Sequence, residues 1–60
     1  MNSTEEVKDL VDECKICLNN IRIWHIQNKK VHVYVNFDIL KKNLETLEKL
    51  LQSDFEGREP

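Results

Sequence analysis

Ile21–Asn36 reads IRIWHIQNKKVHVYVN, and the fold turns on whether this stretch is strand or helix. Ile21, Ile23, Val31, Val33 and Val35, with Trp24 and Tyr34, are β-branched or aromatic, the types that fit a pleated sheet. Gln27-Asn28-Lys29-Lys30 is the one polar break, so a turn is expected there, with Asn28 suited to a positive φ. The stretch is therefore read as a β-hairpin over 21–35. A two- or four-residue loop puts Trp24, Ile26, Val31, Val33 and Val35 on one face and makes His25 and His32 cross-strand neighbours. A three-residue loop exchanges the faces. In either register both faces carry apolar groups, and such a two-stranded ribbon needs cover.

The flanks read as amphipathic helices. Ser3 is placed to cap the first one, with Glu6 completing a capping box. Val7, Leu10, Val11, Cys14, Cys17, Leu18 and Ile21 then recur at steps of three and four, one wide apolar stripe. This predicts a helix over 4–18, ending at Asn19-Asn20. Asn36 is expected to start a second helix over 37–53, in which Phe37, Leu40, Leu44, Leu47 and Leu51 follow a heptad rhythm. Gly57 and Pro60 mark residues 54–60 as a frayed tail. The expected architecture is α+β: a single αββα domain spanning 1–60, in which both helices pack on a hairpin.

At 60 residues, an isolated core rarely supplies more than ~3–5 kcal/mol. Cys14 and Cys17 are too close in sequence for a disulfide to restrain much of the unfolded chain. A homodimer is the expected remedy, with Phe37, Leu40, Leu44, Leu47 and Leu51 as its seam. There is no secretory apolar run and no membrane-length one, and the chain is read as a complete, soluble, cytoplasmic protein.

Charge excludes more than it assigns. Residues 1–20 sum to −3, residues 21–42 to +4 and residues 43–60 to −3. A basic middle between acidic flanks disfavours broad phosphate binding, while Lys29 and Lys30 leave a local basic tip. Cys14-Lys15-Ile16-Cys17 supplies two thiols where zinc needs four ligands, and the spacing to His25 and His32 fits no usual finger. Both thiols lie inside a helical stripe and read as core groups. The histidine pair offers a metal-bridging or pH-switch alternative. No nucleophile has a base at a recognisable offset and there is no phosphate loop, so no catalytic residue and no cofactor is assigned.

By elimination, function is expected in binding. The first expectation is a small homodimeric regulator or inhibitor that covers a surface of a larger protein, of the kind phages and mobile elements encode. Its contact surface is placed at Trp24, Tyr34, Lys29 and Lys30, with the acidic outer face of helix 1 (Glu5, Asp9, Asp12) as the alternative. The second expectation is a dimeric nucleic-acid-binding regulator using the basic tip.

Overall fold

A computed structural model describes residues 3–56 of the protein. These form two antiparallel helices, α1 over Thr4–Ile26 and α2 over Lys30–Glu56, joined by a short turn. Among the described residues there is no strand, so the α+β, αββα expectation is corrected to an all-α helical hairpin. Residues 21–26 complete α1 and residues 30–35 begin α2, and the ribbon expected over 21–35 is absent.

The reason lies in what each conformation buries. A helical reading continues the rhythm of Cys14 and Cys17 through Ile21 and Trp24, keeping all four on the side that meets α2. A ribbon would expose one apolar face whatever its register. The helix propensity lost at each Ile or Val is only a few tenths of a kcal/mol, less than the burial of one aliphatic side chain, about 1.5–3 kcal/mol. Tertiary burial therefore overrides the local β preference.

The polar break at Gln27–Lys30 does mark the turn, but it closes a helix. Asn28 has φ 60°, its amide donates to the His25 carbonyl at 3.0 Å, and the Lys29 amide donates to the Trp24 carbonyl at 2.9 Å. This pair of bonds is a Schellman motif, with Asn28 as the left-handed residue after the cap. The other expected boundaries move accordingly. Asn19 and Asn20 lie inside α1, and Asn36 lies inside α2 with its side-chain amide donating to the His32 carbonyl at 2.8 Å. Ser3 makes no side-chain cap bond; its hydroxyl instead donates to Asp54 at 3.0 Å, tying the open end of the hairpin together. Asp54–Glu56 continue α2 rather than fraying, and the expected tail at 57–60 lies outside the described residues.

The core is thin. Among the described residues, Cys14, Cys17 and Leu40 are the buried apolar ones, 8%, 6% and 6% exposed, with Ile21 packed against them. Both cysteines are free thiols, and burial, with smaller contributions from Cys17 and Glu13, pushes the Cys14 thiol above its ordinary range. Asn20 and Asn36 meet across the helices at 3.3 Å, a polar contact beside the apolar cluster.

Candidate functional site

The hairpin is about 50 Å long and 15 by 11 Å across, so two helices leave much of each other uncovered. On one broad side a shallow depression is lined by Glu13, Ile16 and Asn20 of α1 and by Asn36, Ile39 and Asn43 of α2. Asn43 Nδ2 is shielded from solvent there and has no hydrogen-bond partner. Residues one step past the core in the opposite direction, Val11 and Leu18 on α1 and Phe37, Leu44 and Leu51 on α2, belong to the other broad side. Leu18, Phe37, Leu44 and Leu51 are all exposed.

The heptad expected as a dimer seam is thus divided. Leu40 is buried and Leu47 half-buried toward α1, while Phe37, Leu44 and Leu51 are 43%, 47% and 37% exposed. Beside them lies a depression formed by Leu44, Leu47, Glu48 and Leu51, edged by Glu45 and Gln52. Those four occupy i, i+3, i+4 and i+7, the set that receives a knob from a facing helix. Lys41 lies along the same side, its ammonium 5.1 Å from the Phe37 ring centre and 3.7 Å from the Asp38 carboxylate. That exposed ion pair contributes at most a few tenths of a kcal/mol.

The residues expected to bind a partner do not form one surface. Trp24 is half-buried and faces α2, its ring 4.5 Å from that of His32 and tilted by 41°. Tyr34, Lys29 and Lys30 do come together at the turn, around a depression shared with His25, Asn28 and Val33. The two histidines are consequently not neighbours on a ribbon: His32 stacks on Trp24 and His25 faces this tip depression, which removes the geometry of the metal-bridging or switching pair. Among the described residues no group of three or more His, Cys, Asp or Glu side chains is placed to hold a metal ion. Glu5, Asp9 and Asp12 are exposed on the outer face of α1.

What sequence reasoning missed is the second row on α2. Tyr34, Phe37, Lys41, Leu44, Glu48, Leu51 and Phe55 recur at alternating steps of three and four, parallel to the row that faces α1. The signal is present in the width of the leucine stripe, which is broader than one neighbouring helix can cover. Among the described residues, no helix is long and apolar enough to cross a membrane. Compared with known proteins, the chain matches no family model, no curated protein and no solved structure.

Proposed function

We propose that the chain is a non-enzymatic interaction module, a helical hairpin that completes its apolar core against another polypeptide and regulates a larger protein by covering part of its surface. The observation that carries this reading is the imbalance between core and surface. Among the described residues three apolar side chains are buried, whereas Leu18, Phe37, Leu44 and Leu51 lie exposed on one broad side and Ile16 and Ile39 on the other. Exposed apolar surface of this kind on a small chain marks protein-binding faces. Helix-in-groove or helix-on-helix docking is the mode it suits, because the apolar groups recur at helical spacing. The depressions are open and shallow, a shape suited to side-chain knobs.

The test is affinity capture of the tagged chain from a cell lysate, with and without nuclease, beside an Ile39→Asp variant of the same chain, which alters the side opposite Leu44. One protein retained in near-stoichiometric amount in both halves, and lost with the variant, supports the reading. Retention that vanishes with nuclease refutes it.

A second reading has its own observation. No Asp or Glu occurs between Glu13 and Asp38, so the turn half of the hairpin carries Arg22, Lys29 and Lys30 without a counter-charge nearby in sequence. Such a tip would engage phosphate groups, and that binding would weaken steeply with salt. Lys29→Glu with Lys30→Glu should abolish it while leaving protein capture intact.

A further inference from the structure

We infer that the apolar side of α2 is an interface with a second copy of this chain, packed antiparallel so that the turn of one hairpin lies beside the open end of the other. The inference rests on the interaction reading above and assigns one of its two apolar sides, leaving the side of Ile16 and Ile39 for the larger protein. The row Tyr34-Phe37-Lys41-Leu44-Glu48-Leu51-Phe55 has two components. Phe37, Leu44 and Leu51, seven residues apart and each more than a third exposed, form an apolar line. Tyr34, Lys41, Glu48 and Phe55, also seven apart, form a line that reads aromatic, positive, negative, aromatic.

That second line is complementary to its own reverse. When a second α2 runs antiparallel about the middle of the row, its apolar line interleaves with Phe37, Leu44 and Leu51. Lys41 of each copy then falls beside Glu48 of the other, so the contact is made twice, and Tyr34 falls near Phe55. In this register the open hole of Leu44, Leu47, Glu48 and Leu51 receives Lys41 of the other copy, its stem over the leucines and its ammonium at Glu48. Parallel packing would instead set Lys41 against Lys41 and Glu48 against Glu48, like charges at the edge of an apolar seam.

Two further observations point the same way. The turn half carries uncompensated positive charge, while Glu5, Glu6, Asp54 and Glu56 gather at the open end; antiparallel packing brings opposite ends together. The area also suffices. The whole broad side, 50 by 15 Å across both helices, offers roughly 750 Å² per copy, close to the ~800 Å² per partner of a standard stable interface, so the contact draws on α1 as well as on the α2 row. Val11 and Leu18 on the same side of α1 widen the patch.

The experiment is a charge exchange read by sedimentation equilibrium, with far-UV circular dichroism confirming that each hairpin stays helical. The wild-type chain is expected to be a dimer. Lys41→Glu and Glu48→Lys should each weaken it by about tenfold or more, because one substitution turns two attractive contacts into two repulsive ones. The double variant carrying both exchanges should recover wild-type affinity. Glu48→Lys leaves the Lys41–Asp38 pair intact, so its effect cannot come from losing that bond. A monomeric wild type that captures a foreign protein on the Leu44 side would overturn the second copy while leaving the interaction reading standing. A dimer indifferent to both single exchanges would overturn the antiparallel arrangement.

Discussion

Leu40→Ala is the substitution to which the hairpin should be most sensitive. Leu40 is the buried aliphatic side chain of α2 and packs in the cluster of Cys14 and Cys17 from α1. In deep cores a Leu→Ala change costs about 2–5 kcal/mol, the larger values arising where the cavity cannot collapse. Here the cluster has only three buried members and the helices are free to close in, which places the cost near the lower end, about 2 kcal/mol. A chain of this size holds only ~3–5 kcal/mol in all, so the ratio of folded to unfolded molecules should fall by roughly thirtyfold. Leu44, 47% exposed, should cost about half as much on truncation in the isolated hairpin, near 1 kcal/mol. The assay is urea unfolding followed by far-UV circular dichroism, at the lowest concentration the signal allows, to keep self-association out of the comparison. Equal losses for Leu40→Ala and Leu44→Ala would refute the assignment of Leu40 to the inside of the hairpin and Leu44 to its outside.

Other consequences are open to simpler checks. Asn28 occupies a left-handed position, so Asn28→Gly should stabilise the hairpin slightly, by a few tenths of a kcal/mol, while Asn28→Val should destabilise it by about 1 kcal/mol or more, both read from urea midpoints. Asn20→Ala removes the contact with Asn36 and should cost about 0.5–1.5 kcal/mol, less if Asn36 stays satisfied through its bond to the His32 carbonyl. Cys14, buried and with its thiol pKa raised, should react with iodoacetamide far more slowly in the folded chain than in urea. The sign of its pH effect follows from that direction. The neutral thiol is favoured in the folded state, so this contribution is intact below the ordinary thiol range and lost as pH rises through the higher folded value. Cys14→Ala should flatten the alkaline limb of a stability profile.

Much of α1 is legible in the amino-acid sequence. Of the stripe from Val7 to Ile21, Cys14 and Cys17 are core groups with Ile21 packed against them, whereas Leu18 lies exposed, and the polar break at Gln27–Lys30 marks the reversal of the chain. The helical state of residues 21–35 is illegible for a definite reason. Val31, Val33 and Val35 alternate over only five residues, too short a window to separate a period of 2 from a helix with apolar residues on more than one side. Asn36 compounds the difficulty: by type it suits a helix start, yet here it sits mid-helix, facing Asn20. Carrying the rhythm of Cys14 and Cys17 forward through Ile21 and Trp24, past Asn19 and Asn20, is the reading that recovers the helix. The candidate surface is half legible. The heptad from Phe37 to Leu51 is visible, but its division between a row facing α1 and a row facing outward depends on how α2 is rotated, which no single-helix pattern specifies.

The central claim is that a second copy of this chain covers the open apolar side of the hairpin, and the thermal midpoint of the purified chain as a function of its own concentration tests it most directly. A dimer whose unfolding is coupled to dissociation gains about 2.7 kcal/mol over a hundredfold rise in concentration, an upward shift on the order of 10 °C for a chain this small. That rise, lost in Leu44→Asp, is the expected result. A midpoint that stays constant across the same range, in a chain fully helical at every concentration, would show a hairpin sufficient in itself and contradict the account.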